Sequence, residues 1–226
     1  SQSLSAGTYV GVDEAIGITG NAWSGIPTSD IDFITDFDLG DLNADGKMDI
    51  VFKGISRPAS SIIASDTTAK GQMNQESGPT GVPTPKTAAT GGTGFVQYVI
   101  NSSTSGTLSF GSPIAINGAI SMNDVEDWGG ITVADLDVDG DLDIIAVAST
   151  KSGSAVYANF KLFRNDGALS FSETTIAGPS GSDCWIAQIK VADLNGDELP
   201  DVLCSISMVG ELRAFMQKQS TASSPL

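Results

Sequence analysis

Apolar and polar residues alternate over short stretches of the chain, and the same arrangement occurs three times. Each stretch places two apolar side chains two residues apart, then a polar loop, then a short apolar run. This order is typical of a strand, a connecting loop and a second strand. The paired apolar positions are Phe37 and Leu39, Ile131 and Val133, and Ile189 and Val191, and the following runs are residues 50–52, 144–147 and 202–204.

Two further strands are predicted after each of these hairpins. Third strands are expected at residues 94–100, 155–164 and 211–217, and fourth strands at 108–116 and 169–176, where Gly-containing turns precede them. No fourth strand follows the third copy. We therefore predict an all-β chain made of units of four short antiparallel strands.

The polar loops are themselves a nine-residue repeat. They occupy residues 41–49, 135–143 and 193–201 and begin 94 and 58 residues apart. Positions 1, 5 and 9 are always Asp, position 2 is always Leu, and position 3 is Asp or Asn. The longer first interval contains residues 56–92, rich in Ser, Thr, Gly, Pro and Ala, which we interpret as an insertion between the second and third strands of the first unit.

The acidity of the chain comes largely from these loops. The net charge is −16, 21 of the 27 acidic residues are Asp, and 11 of those lie in the three loops. The absence of His excludes histidine-based catalysis and histidine metal ligands. So acidic a chain is not expected to bind nucleic acid, and no stretch has the roughly 18 apolar residues of a membrane span.

Carboxylates at this density indicate a bound cation. Four or five of them in one loop repel each other unless they face water or share a cation. Oxygen ligands without His or Cys favour Ca²⁺, and side chains at positions 1, 3, 5 and 9 can converge on one ion. Position 7, occupied by Lys47, Asp141 and Leu199, would offer its backbone carbonyl, which fits its variability. The sequence therefore predicts about three Ca²⁺ ions.

Two other interpretations of the loops remain open. An EF-hand requires a bidentate Glu at position 12 between two helices. Here position 12 is Phe52, Ala146 or Cys204, and the flanking patterns are those of strands. The loops could also be Asp-rich turns without metal, because Asp is common in turns. Three copies in the same strand–loop–strand context favour calcium over both alternatives.

The loops and their flanking strands resemble the calcium loops of the FG-GAP/VCBS repeat family, known from integrin-type β-propellers and several lectins. The resemblance covers roughly residues 23–217 and implies four-stranded blades whose calcium loop joins the first two strands. The third loop departs from the pattern, with Glu198 instead of Gly at position 6 and Pro200 at position 8. The calcium ligands implied by the resemblance are Asp41, Asn43, Asp45, Lys47 (carbonyl) and Asp49; Asp135, Asp137, Asp139, Asp141 (carbonyl) and Asp143; and Asp193, Asn195, Asp197, Leu199 (carbonyl) and Asp201.

The predicted architecture is therefore an incomplete β-propeller of three blades. Three four-stranded blades are too few to close a ring, which needs about four to eight. Another chain, a second copy or residues beyond this sequence would complete it. The predicted segments are an N-terminal outer strand at 1–22, blade 1 at 23–118 with the insertion 56–92, blade 2 at 119–178, blade 3 at 179–219 without its fourth strand, and a tail at 220–226.

A tryptophan precedes each calcium loop, at Trp23, Trp128 and Trp185. These side chains could pack between blades, or they could stack on sugar rings with Asp127 and Asp183 bonding sugar hydroxyls. Lectins with this repeat hold sugars between neighbouring blades. The resemblance thus implies a calcium-stabilised, secreted, lectin-like module whose partner is a glycan or glycoprotein.

Two other functions are compatible with such a propeller. A propeller used for protein adhesion would make residues 56–92 a candidate contact. A scaffold for a polysaccharide-active enzyme would need a catalytic carboxylate pair. The dense acidic clusters are all assigned to calcium, and no nucleophile motif or phosphate-binding loop is present. We therefore predict that the chain is not an enzyme.

Overall fold

The computed structural model describes residues 30–58, 76–77, 83–84, 93–105, 107–116, 130–152, 155–179, 186–206 and 210–218. All regular structure in these residues is β-strand, which confirms the predicted all-β class. None of the described residues forms a helix that could cross a membrane. The strands are β1 (Asp30–Gly40), β2 (Asp49–Pro58), β3 (Glu76–Ser77), β4 (Pro83–Thr84), β5 (Thr93–Val99), β6 (Ile114–Ala115), β7 (Ile131–Ala134), β8 (Asp143–Ser152), β9 (Ala155–Asn165), β10 (Phe171–Ala177), β11 (Ile186–Ala192), β12 (Asp201–Ile206) and β13 (Glu211–Phe215).

The strands form three antiparallel sheets of similar order. The first sheet has the order β1-β2-β5-β6, the second has β7-β8-β9-β10, and the third has β11-β12-β13. β5 pairs directly with β2, so residues 59–92 lie between two neighbouring strands of one sheet. The small ribbon β3–β4 falls within this interval.

The fourth strand of the first sheet is shorter than predicted. Residues 108–116 contain only β6, together with isolated bridges at Asn101–Phe110 and Thr104–Thr107. Pro113 immediately precedes β6 and has no N–H to donate to a neighbouring strand, which limits pairing at this point. In the second sheet, β10 is a full strand close to the predicted 169–176.

Each nonapeptide connects the first two strands of its sheet. The register pairs Gly40 with Asp49 in the first sheet, and the corresponding pairs are Ala134 with Asp143 and Ala192 with Asp201. Every loop thus closes a hairpin between the residue before position 1 and the Asp at position 9. The three loops therefore occupy the same topological place, as the sequence repeat predicts.

The hydrophobic core lies between the sheets. Along β8, Ile144 and Ala146 pack in a cluster with the first sheet, whereas Ile145 and Val147 pack in a cluster with the third. Successive side chains of a strand point to opposite faces, so a strand covered on both faces needs an unbroken apolar run. This explains the continuous run at 144–147. Cys204 is buried in the cluster between the second and third sheets, as expected of a small apolar side chain.

Polar contacts also join the first and second sheets. The Ile131 N–H donates to Asp36 Oδ2 at 3.0 Å. Asp38 Oδ2 accepts from the Thr132 hydroxyl at 2.8 Å and from the Val133 N–H at 3.1 Å. β1 and β7 therefore meet edge to edge through carboxylates rather than through a direct backbone ladder.

A buried lysine makes a second polar link between these sheets. Lys53 of β2 is fully buried, and its Nζ donates to the Val147 carbonyl of β8 at 2.7 Å. Hydrogen bonding of this kind is required when a cation leaves water. The first two sheets are consequently held by specific polar bonds as well as by apolar packing.

Gly130 allows β7 to approach β11 closely. A Cβ at this position would lie 2.9 Å from the Ile189 backbone nitrogen, closer than real side chains come. We expect Gly130→Ala to lower the free energy of unfolding by about 1–3 kcal/mol, because the two strands must separate. Urea denaturation measures this loss. Gly111→Ala is the matched control, since its Cβ would lie 3.7 Å from the Ile100 carbonyl, and equal effects of both variants would contradict the prediction.

Candidate metal-binding loops

The position-9 aspartates are the most buried charged groups of the loops. Asp49, Asp143 and Asp201 have no solvent exposure. In each one, Oδ2 accepts the N–H of the position-2 Leu and Oδ1 accepts an N–H from the end of the third strand. The donors to Oδ2 are Leu42 (3.0 Å), Leu136 (2.8 Å) and Leu194 (3.0 Å), and those to Oδ1 are Asn101, Asn165 and Gln217 (2.8 Å each). Position 9 thus ties the loop to the sheet through two backbone groups.

The position-1 and position-5 aspartates shape the loop from within. Asp135 Oδ1 accepts the Asp139 N–H and its Oδ2 accepts the Gly140 N–H, both at 3.0 Å. Asp139 Oδ1 in turn accepts the Asp141 N–H at 2.9 Å. The equivalent bonds recur in loops 41–49 and 193–201. Such Asx turns curve the backbone around the carboxylates.

Two positions of each loop have left-handed backbone geometry. Position 4 has φ of +57° at Ala44 and +62° at Val138, and position 6 is Gly in both of these loops. In loop 193–201 the residues are exchanged, with Gly196 at position 4 and Glu198 at position 6, where φ is +66°. Each loop therefore has one Gly and one strained non-Gly residue, and Glu198 does adopt the conformation that Gly has elsewhere.

Replacing the strained Glu198 is expected to stabilise the third loop. A non-Gly residue in left-handed geometry costs roughly 1–2 kcal/mol. Replacing it with Gly removes this cost, but part of the gain is lost because Gly makes the unfolded chain more flexible. We predict that Glu198→Gly raises the free energy of unfolding by about 0.5–1 kcal/mol in urea denaturation. Glu198→Ala removes the same carboxylate but keeps a Cβ, so it should give no such gain. A similar gain from both variants would point to charge rather than to backbone strain.

Loop 135–143 brings three carboxylates to within reach of one ion. One oxygen from each of Asp135, Asp137 and Asp143 lies within 4.8 Å of the other two. Calcium binds oxygen at 2.3–2.6 Å, so two ligands on opposite sides of the ion are separated by about this distance. The donors are all hard oxygens, which is the ligand set that calcium prefers. This loop fits the predicted ion.

The carboxylates of loop 135–143 also raise each other's pKa. Burial raises the pKa of Asp143, and the negative charges of Asp137 and Asp139 raise it further, against the two backbone hydrogen bonds that lower it. Burial and the charge of Asp139 likewise raise the pKa of Asp137. The anionic form is therefore disfavoured in the folded loop, and a divalent cation between these oxygens would remove that cost.

In the other two loops, some carboxylate oxygens already contact side-chain nitrogens of the same loop. In loop 41–49, Lys47 Nζ lies 3.2 Å from Asp45 Oδ2. Burial acts to raise the pKa of Asp45, but hydrogen bonds and charge from Lys47 outweigh it, and the pKa is lowered. In loop 193–201, Asn195 Nδ2 donates to Asp197 Oδ2 at 3.0 Å. An ion entering either loop would have to replace these contacts.

A cleft lies between the second and third sheets, next to loop 135–143. Its volume is about 480 Å³, within the usual range of small-molecule sites. Ser172, Thr174 and Ile176 of β10 line one side of the cleft, and Val202 and Phe215 of the third sheet line the other. Apolar lining residues include Phe160, Leu162 and Phe215, and polar ones include Asp137, Arg164 and Thr174.

The cleft and several contacts were not foreseen from the sequence. β10 shows alternation at Ser172, Thr174 and Ile176, but this local pattern does not show that their face borders the third sheet. The two hydrogen bonds that each position-9 carboxylate accepts were equally hidden, because donor and acceptor are up to 52 residues apart in the sequence. The predicted sugar-binding residues Trp23, Trp128, Trp185, Asp127 and Asp183 lie outside the described residues, as does Cys184.

Comparison with known proteins adds no family assignment. No family model matches the chain, and no curated protein matches it significantly.

Proposed function

We propose that this chain is a calcium-stabilised β-propeller module that is secreted and binds carbohydrate without catalysing a reaction. Three observations support the interpretation of the sheets as propeller blades. The strand order is similar in the three sheets, the sheets pack face to face, and the nonapeptide lies at the same point of each sheet. The donor set of loop 135–143 supports calcium.

The cleft next to loop 135–143 carries the binding proposal. Sugars offer hydroxyl groups for hydrogen bonding and apolar C–H faces for packing. The cleft combines both needs, with Asp137, Arg164 and Thr174 at its polar side and Leu162 and Phe215, which are partly exposed, at its apolar side. Arg164 Nε donates to Asp166 Oδ1 at 2.6 Å, which orients the guanidinium, and it also lies 3.8 Å from Asp137 Oδ2 at the rim.

The proposal is tested by a glycan array followed by titration with the sugar that binds. Thr174→Trp fills the cleft with a large side chain and should weaken binding at least tenfold. Thr175→Trp is the matched control, because the neighbouring residue is also exposed but is not part of the cleft lining. Absence of any glycan ligand, or equal binding by both variants, would contradict the assignment of this cleft.

A further inference from the structure

Loop 193–201 places an asparagine directly before a glycine on the surface of the protein. Asn195 and Gly196 are both exposed. The backbone nitrogen of the residue that follows an asparagine can attack the side-chain amide carbon, because the two atoms close a five-membered ring. Gly leaves this approach open, since it has no Cβ. The pair therefore brings together the two reacting groups of an intramolecular acyl transfer.

Hydrogen bonds fold the Asn195 side chain back along the loop. Its Oδ1 accepts the Asp197 N–H at 2.9 Å, which closes an Asx turn around the Gly196 peptide. An N–H that is bonded to the amide oxygen also stabilises the negative charge that develops on this oxygen during attack. Asn195 Nδ2 donates to Asp197 Oδ2 at 3.0 Å, so both polar atoms of the amide are held by one residue.

The proton that must leave the Gly196 nitrogen has an acceptor in the same loop. Asp193 Oδ1 accepts the Gly196 N–H at 2.7 Å. This distance lies within the reach that proton transfer to a side chain requires. The loop thus supplies the nucleophile, an acceptor for its proton and a donor to the oxygen of the group under attack.

We infer that Asn195 is a site of spontaneous deamidation in the folded chain. The Gly196 nitrogen loses its proton and bonds to Asn195 Cγ, the bond from Cγ to Nδ2 breaks, and ammonia leaves after taking up one proton. Water then opens the cyclic imide. Opening at one carbonyl gives aspartate, and opening at the other gives isoaspartate, whose backbone runs through the former side chain. The reaction needs neither calcium nor sugar, so its outcome is independent of the proposed function.

Deamidation adds a negative charge at position 3 of the loop. A carboxylate oxygen then replaces the Nδ2 donor beside Asp197 Oδ2, so a hydrogen bond becomes a contact between like charges. The aspartate product has the same acids at positions 1, 3 and 5 as loop 135–143. Deamidation therefore makes loop 193–201 more acidic and more dependent on a cation.

Loop 41–49 provides a matched control within the same chain. Asn43 holds the same position, is exposed, and its Oδ1 accepts the Asp45 N–H at 3.1 Å. The next residue is Ala44, whose Cβ hinders attack by its own backbone nitrogen. Ala44 has φ of +57° and Gly196 has φ of +80°, so this place in the loop accepts Ala. Gly196→Ala is therefore expected to keep the loop while blocking the reaction.

The test is peptide mapping by mass spectrometry of the full chain, held in mildly alkaline buffer with a chelator while circular dichroism confirms that it stays folded. The peptide with Asn195 should gain the mass difference between an amide and an acid, and enzymatic methylation specific for isoaspartate should label it. Conversion should be roughly tenfold or more faster than at Asn43 or in Gly196→Ala, the effect of a modest difference in activation barrier. Mapping separates this site from the other Asn-Gly pair, 117–118, which lies outside the described residues.

The same chain unfolded in urea is the reference state. If Asn195 keeps its amide in the folded chain, the inference is wrong, and conversion in urea alone would show that the loop protects the side chain. Equal rates at Asn43 and Asn195, or an unchanged rate in Gly196→Ala, would also overturn it, because the glycine would then play no part.

Discussion

Removal of calcium should lower the melting temperature by roughly 8–16 °C for each occupied loop. An ion present at a thousandfold excess over its Kd stabilises the folded state by about 4 kcal/mol. For a chain of this size, each kcal/mol corresponds to about 2–4 °C. Loop 135–143 is expected to contribute most, because Asp135, Asp137 and Asp143 already point their oxygens at one place. Scanning calorimetry of the chain in excess calcium and after dialysis against a chelator measures the difference.

The control for this experiment is magnesium at the same concentration. Magnesium demands a tighter octahedral site and keeps its water, so it should restore little of the lost stability. Asp137→Asn offers a second control, because it removes one negative charge from loop 135–143 without changing the shape of the side chain. It should reduce the calcium effect and slightly raise the melting temperature in chelator, because burial and neighbouring carboxylates raise the pKa of Asp137 and its charge therefore opposes folding. An identical melting temperature with and without calcium would show that the loops are metal-free turns.

Asp143→Ala should destabilise the chain by about 3 kcal/mol even in the absence of calcium. The Asp143 carboxylate accepts the Leu136 and Asn165 N–H groups, both at 2.8 Å, and is completely buried. Truncation leaves two buried donors without partners, at a cost of about 1–3 kcal/mol each. Part of this cost is offset, because burial disfavours the charge of Asp143, as its raised pKa indicates. Urea denaturation in chelator gives the loss.

Asp139→Ala distinguishes this role from cation binding. Asp139 belongs to the same loop but is exposed, and its carboxylate accepts the nearby Asp141 N–H, which is not buried. It should cost less than about 1 kcal/mol in chelator and more in calcium, where the lost carboxylate weakens the ion site. Equal losses for both variants in chelator would mean that the position-9 carboxylate does not anchor the loop.

The strands and loops were accessible from the sequence because they depend on local pattern. The alternation at Ile131 and Val133 is typical of a strand with one covered face. The apolar run at 144–147 is typical of a strand that is covered on both faces. The nonapeptide repeat located all three hairpin connections, since only this spacing of Asp recurs in the chain. The fourth strand of the first sheet was overestimated because Pro113, rather than the apolar pattern, limits its pairing.

The candidate sites likewise depend partly on local sequence and partly on contacts between residues that are distant in the sequence. Residue type and spacing alone marked Asp135, Asp137 and Asp143 as possible ligands of one ion. Spacing did not show that the Asp143 oxygens also hold two backbone groups, because the Asn165 donor comes from another strand. The 480 Å³ cleft depends on how the second and third sheets pack against each other, which no local pattern encodes.

By itself, the sequence determined the class of fold, the three repeated hairpins and the chemistry of their loops. Tertiary structure decided which of the repeated residues are core and which are surface. Leu42, Leu136 and Leu194 hold the same position of the repeat, yet only the first two are buried, because burial depends on whether another sheet packs against that face. Local pattern specifies which side chains share a face, whereas the neighbour that covers the face is set by the arrangement of whole sheets.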